Sequence, residues 1–407
     1  MDGPRPVKAA ELRAFLLDRL GLRGPLWPAA ETAERMAGLG MVQIDSICVT
    51  GLRNHELAWV ARAEAGRDGF YEAVHGRRAF LEMHFPVFAT RRDWAPLLVT
   101  ACSERTPRGE AQRAMLRPLM RRLTRHIRDH GPVTAGQFTS ERIPGGFNTV
   151  KATTRALDLL CFDRVLQVSG RTPHFHRRFD LTERVAPELK AWRRPPARDY
   201  ERFLVASALG VLKAATAEQI AARVALHYGQ WRGVSIRHWR GVVERWLRRD
   251  LTPAGPPRAV RVDDLPGAPV YWHLAEDAAG WESAARGDGG ALRIVPPLDN
   301  LLFSRRRLAE LFDLAYKFEA YTPAAARRFY FAMPIVHGDA VAGLIDARRR
   351  DGVWDVAGLE LRRAVPAEAL RRAVHRLAGL AGAERVTVSA PAPRALARAL
   401  RGPCRRP

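Results

Sequence analysis

The sequence predicts an α+β protein, with tandem winged-helix (helix-turn-helix) domains followed by a C-terminal β-barrel-like α+β domain. Three observations carry that prediction. A run of helices closed by a pair of strands occurs twice, about 90–100 residues apart. From about residue 290 the pattern changes to strands broken by Gly-containing turns. The charge is strongly basic, with 66 Lys+Arg against 43 Asp+Glu and a formal net charge of +23, as suits a chain that meets a polyanion.

Composition narrows the class further. A chain of 407 residues has room for two to four domains. With 47% hydrophobic and 27% charged residues it reads as globular, not disordered. No apolar run is long enough for a transmembrane helix. Met1-Asp2-Gly3-Pro4-Arg5-Pro6 leads into a charged helix without the apolar core of a signal peptide. Cys48, Cys102, Cys161 and Cys404 lie far apart with no CxxC pair, which argues against a structural zinc site or a disulfide framework. A reduced, cytoplasmic compartment follows. Only five of the 66 basic residues are lysine. GC-rich coding accounts for arginine over lysine but not for the surplus of basic over acidic residues.

Leu12, Phe15, Leu16 and Leu20 at helical spacing mark a helix over 8–20, and a second is expected over 29–38. Val42 and Ile44 then alternate with Gln43 and Asp45, a strand-like pattern. A long basic helix is expected over 110–129, a short one at 133–138 with Thr134 as its N-cap, and a third over 148–161. Strand-like runs follow at Arg164–Val168 and Phe175–Leu181. The order recurs with helices at 199–212 and 234–249, the segment Ala214–Ile220 between them, and strands near 258–263 and 269–274. In the last part Arg327–Val336, Ala340–Asp346, Gly352–Leu361 and Arg385–Ser389 read as strands, with helices at 366–381 and 393–401. The expected domains are 1–104, 105–190, 191–288 and 289–407.

Asp45 draws attention because phosphate repels a carboxylate on a DNA-facing surface. If 43–45 is extended, Gln43 and Asp45 share one face while Ile44 packs on the other. A carboxylate beside an amide suits cleavage of an N-glycosidic bond, where it stabilises an oxocarbenium-like sugar or activates water. The same string also suits a plain helix N-cap at Asp45-Ser46. His174 and His176 would share one face of a hairpin with no third ligand nearby. With Arg177 they point to phosphate or minor-groove contact, not to zinc. Trp231, Trp239 and Trp246 read as core, and the arginines between Arg105 and Arg128 read equally as a phosphate track or a solvated face.

Val42-Gln43-Ile44-Asp45-Ser46-Ile47, with Arg53-Asn54-His55 and Arg62, resembles the winged-helix DNA glycosylases of the AlkZ and YcaQ type. Gly131-Pro132-Val133, Phe179–Val185, Pro297–Arg305 and Tyr321-Thr322-Pro323 extend the resemblance over nearly the whole chain. It implies a monofunctional bacterial enzyme of DNA repair. Such an enzyme hydrolyses the N-glycosidic bond of N-alkylated purines in double-stranded DNA and extends to unhooking interstrand crosslinks. It implies Asp45 as catalytic carboxylate, Gln43 as its partner, no metal or organic cofactor, and a monomeric, nucleoid-associated protein. Arg53, His55, Arg305, Arg327 and Arg328 join the histidine pair and Arg177 as DNA-contact candidates, and Glu82, His84 and Asp299 as further site candidates. Pro86 stands where the family carries a histidine, and Leu344 where it carries a basic residue. The alternative is a non-catalytic winged-helix DNA-binding protein or regulator.

Overall fold

The computed structural model describes residues 3–83, 88–91, 93–94, 107–144, 149–191, 195–226, 235–286 and 290–404. His84, Pro86, Cys102, Arg105 and Trp231 lie outside these. Among the described residues no helix is long and apolar enough to cross a membrane. The fold is α+β. Contacts group it into two compact units, Met1–Phe70 with Glu201–Pro407, and Tyr71–Tyr200.

In the first unit, β1 (Arg5–Val7) leads into α1 (Ala9–Arg19), α2 (Ala29–Ala37), β2 (Met41–Gln43) and α3 (Asn54–Val60). Helix α1 buries Leu12, Phe15, Leu16 and Leu17, and Phe15 stacks on Trp281 at 4.3 Å. Strand β1 was not foreseen. It pairs in parallel with Arg258–Val262, which pairs antiparallel with Val270–His273. The N-terminal segment therefore shares a sheet with the foreseen hairpin of the third expected domain. Before that hairpin come helices Ala217–Val224 and Ile236–Trp246, capped by the Thr216 and Ser235 hydroxyls. Trp239 and Trp246 are buried, as core residues should be.

The C-terminal part is a six-stranded sheet in the order Leu292–Ile294, Met333–His337, Ala340–Arg350, Val353–Leu361, Arg385–Val388, Gly402–Pro403. Its pairs are antiparallel except Val353–Leu361 with Arg385–Val388. Irregularities at Ile335/Val336 and Asp346/Ala347 add local twist, and the sheet curls into a half-barrel. Helix Ala367–Leu380 covers it with Leu370, Val374 and Leu377. The strand foreseen over Arg327–Val336 starts only at Met333. The residues before it spend their N–H groups on carboxylates instead of a ladder, as described below.

In the second unit, helix Pro107–His130 buries Leu116, Leu123 and Ile127 along one stripe, spaced as one face of a helix requires. Helix Ala152–Phe162 and the hairpin Leu166–Arg171/Arg177–Leu181 complete that core with Leu157, Leu160, Val168 and Phe179. The short helix foreseen at 133–138 is a single 3-10 turn, Ala135–Gln137. Gly131 before it takes φ +87°, which an L side chain resists.

Candidate active site

The segment carrying Gln43 and Asp45 is held at both ends within the first unit. Val42 and Ile44 are buried, while Gln43, the last residue of its strand, and Asp45, in the loop after it, are half-buried. The Gln43 carbonyl accepts a hydrogen bond from Asn54 Nδ2 at 2.8 Å. Asn54 is fully buried, and its Oδ1 accepts from the Leu298 N–H at 2.9 Å. At the far end the Val49 carbonyl accepts from the Arg349 N–H at 2.7 Å, and the Thr50 carbonyl from Trp354 Nε1 at 3.1 Å. Gly51, at φ +84°, lies where a Cβ would strike Arg349 and Ala381.

No helix follows Asp45 directly; the next begins at Asn54. Asp45 Oδ1 instead accepts the Ile47 N–H at 2.8 Å, closing a turn in its own loop. Among the described residues no cation pairs with it. Partial desolvation, the Asp45 carboxylate and Tyr330 together push the Tyr321 phenol up.

The other candidates in this unit divide into packed and exposed groups. Asp299 is 2% exposed and meets Arg62, itself buried, through two bonds of 2.8 and 2.9 Å. Arg62 also donates to the carbonyls of Leu20 at 2.6 Å and Ala58 at 2.9 Å. The Asp299 Oδ1 caps the next turn by accepting the Leu301 N–H. This is a structural knot, although the sequence suggested a site. His55 is fully buried with its ring 4.9 Å from Phe70, which fits packing and offers nothing to a duplex. Arg53 is part-exposed and bonds Glu56. Arg305 sits over the Tyr316 ring at 4.4 Å, and Arg327 and Arg328 sit over Tyr330 and Phe329 at 4.7 and 5.2 Å.

In the second unit, Glu82 is buried between His75 at 2.9 Å and Arg171 at 2.6 Å. Burial alone would raise its carboxyl, but the His75 hydrogen bond and the Arg171 charge outweigh that and hold it below the usual range. Glu82 is another structural pair. His174 and His176 are exposed at the turn of their hairpin, and Arg177 approaches Asp158 at 3.7 Å. A groove of about 560 Å³ runs along helix Pro107–His130, lined by Arg113, Arg117, Arg121, Arg125 and Arg128. Asp163 and Glu110 neutralise Arg113; Arg117, Arg121, Arg125 and Arg128 are exposed.

Sequence reasoning met Asn54 and Tyr321 only as members of family fragments and gave neither a role. Asn54 is the first residue of its helix, and only the long-range bond to Leu298 reveals its role. Tyr321 had a signal: an aromatic residue in a Pro-containing loop with no apolar neighbour pattern to bury it.

Two comparisons bear on identity. A family model described as "DNA glycosylase AlkZ-like" matches residues 36–382. Among solved structures, the Streptomyces sahachiroi DNA glycosylase AlkZ matches with a TM-score of 0.56 and 18% identity, covering 95% of this chain and 100% of that one. That likeness speaks for the fold; the family model, spanning most of the chain with the Gln43–Asp45 segment inside it, speaks for membership. The chain belongs to the AlkZ-like DNA glycosylase family.

Proposed function

We propose that the protein hydrolyses the N-glycosidic bond of an N-alkylated purine in duplex DNA, with Asp45 as the carboxylate and Gln43 beside it. The observation that carries this reading is the state of Asp45. It is half-open to solvent, fixed on a segment tied down at both ends, and paired with no cation among the described residues. Such a carboxylate is free to meet a cation that forms only during reaction.

An N7-alkylated guanine already carries positive charge. When its bond to C1′ breaks, the electron pair neutralises the departing base and the sugar becomes oxocarbenium-like. Asp45 stabilises that charge. Water adds to C1′, and its proton passes to Asp45, leaving an abasic site. The Gln43 amide orients the water or the sugar. The open setting of Asp45 also supports bulky adducts and interstrand crosslinks as substrates.

The test is single-turnover cleavage of a duplex bearing an N7-alkylguanine, read as abasic sites, with a nitrogen-mustard crosslink in parallel. Asp45→Asn should slow product formation by about 10²–10⁴-fold with DNA binding retained. Full activity of that variant would sink the assignment. Operator-like sequence-selective binding by the wild type with no abasic product would favour the non-catalytic alternative.

A further inference from the structure

Residues 313–332 contain one 3-10 turn and no other regular element, yet the segment is tied along its length. The Glu319 carboxylate accepts the N–H groups of Arg328 at 2.8 Å and Phe329 at 3.2 Å, clasping the loop across its base. The buried Asp346 carboxylate takes the next two, from Tyr330 at 2.8 Å and Phe331 at 3.2 Å. The Tyr316 hydroxyl donates to the Ala332 carbonyl at 2.7 Å, and the Thr322 N–H reaches the Glu319 carbonyl at 2.9 Å. These bonds replace a strand ladder with carboxylate clasps, and they give a loop tip one fixed direction.

At that tip stands Tyr321. Its ring is edge-on to Phe318 at 6.2 Å and 89°, and Phe318 is edge-on to Phe331 at 6.1 Å and 75°. Phe331 is 1% exposed while Tyr321 is 82% exposed, the most exposed large hydrophobic among the described residues. A column of three aromatics thus runs from the core to solvent, and its outer face meets no protein. Aromatic surface held rigidly in water is a platform for another π-face. Arg327 and Arg328, on the same clasped loop, sit over the Tyr330 and Phe329 rings, and Arg328 is paired with Glu360.

We propose that Tyr321 is a positioning residue that stacks on a nucleobase next to the glycosidic bond facing Asp45, and so holds the damaged nucleotide against the carboxylate. The proposal rests on the glycosylase reading for what Asp45 does. One strand, Ala340–Arg350, anchors both segments: Asp346 holds the loop through the Tyr330 N–H, and the Arg349 N–H holds the Val49 carbonyl four residues beyond Asp45. Stacking needs the ring and not the hydroxyl, because a duplex base offers its face whatever its sequence.

The experiment compares full-length wild type, Tyr321→Phe and Tyr321→Ala. Each is measured for single-turnover abasic-site formation on the N7-alkylguanine duplex over a range of protein concentrations, and for binding to the same duplex with 2-aminopurine beside the lesion. Tyr321→Phe should stay within about threefold of wild type in both. Tyr321→Ala should lose about tenfold to a hundredfold in rate and lose the quenching of 2-aminopurine, with an unchanged unfolding midpoint. Equal rates and equal quenching in wild type and Tyr321→Ala would overturn the proposal. So would a Phe variant as weak as the Ala variant, which would point to the hydroxyl. If the wild type forms no abasic sites, the glycosylase reading fails separately. The stacking role then stands on ring-dependent quenching and falls without it.

Discussion

Asp45 and Asp299 occupy the same unit and were both site candidates, but their surroundings are opposite. Asp299 is sealed in and spends both oxygens on the Arg62 guanidinium, with one also capping the turn at Leu301. Asp45 is half-exposed, and its carboxylate takes one N–H from its own turn. A buried ion pair is satisfied before any ligand arrives, so it can only hold the fold. An unpaired carboxylate on a fixed backbone keeps its charge for something that comes and goes. Glu82 repeats the first case in the second unit, with His75 and Arg171 as partners. The contrast separates acids whose charge is already met within the protein from one whose charge is not.

The largest expected effect breaks this contrast if it fails. Asp299→Ala leaves Arg62 as a buried charge without its carboxylate, and should destabilise the protein by about 3–5 kcal/mol in urea unfolding. Asp45→Asn should leave the urea midpoint within about 0.5 kcal/mol of wild type while removing activity. If Asp299→Ala unfolds like wild type, the knot is not structural. If Asp45→Asn destabilises as strongly as Asp299→Ala, Asp45 belongs to the fold.

Asp158 offers an intermediate case. It lies 3.7 Å from Arg177, too far for a strong bond. Burial, only partly offset by Arg177 and Arg155, pushes its carboxyl from 3.8 up to about 6. The folded state therefore holds this proton more tightly than the unfolded chain. Its share of stability is full below about pH 4, declines as pH rises toward about 6, and is gone above that. Asp158→Asn should remove this decline and gain about 1–3 kcal/mol at pH 7.5 relative to wild type, with little gain at pH 4. Urea midpoints of both proteins across that range check it. An equal difference at both ends would show that the carboxyl does not titrate there.

These cases also show what the sequence could and could not disclose. The strand pairs and long helices were legible because their patterning is local, as in Leu12, Phe15 and Leu16. The strand at Gln43 was legible from period-two alternation, but it ends there, so Asp45 stands in the loop that follows. The pairing of Arg5–Val7 with Arg258–Val262 was not legible, because three residues carry no period and their partner is some 250 positions away. Asp299 and His55 read as site candidates because motif proximity says nothing about burial; Arg62 lies 237 positions from Asp299. Tyr321 was noticed only as part of a family fragment, because its meaning lies in what fails to cover it.

Unpaired positive charge should follow the same rule as unpaired negative charge, and here the expected effect is smallest. Along helix Pro107–His130, Arg113 is neutralised by Asp163 and Glu110, whereas Arg121 and Arg125 line the groove exposed, one helical turn apart. Two residues four positions apart are separated by about 6 Å along a helix, a spacing that lets both meet one strand's backbone. Replacing both with alanine should weaken binding to undamaged duplex and lower the slope of log K against log salt by about 2. The fractional loss should be the same for undamaged and alkylated duplex, since phosphate contact carries no information about the lesion. Arg113→Ala should change the slope little, because its charge is already spent on Asp163. An equal change of slope from Arg113→Ala would mean that pairing within the protein does not decide which charges are available to DNA.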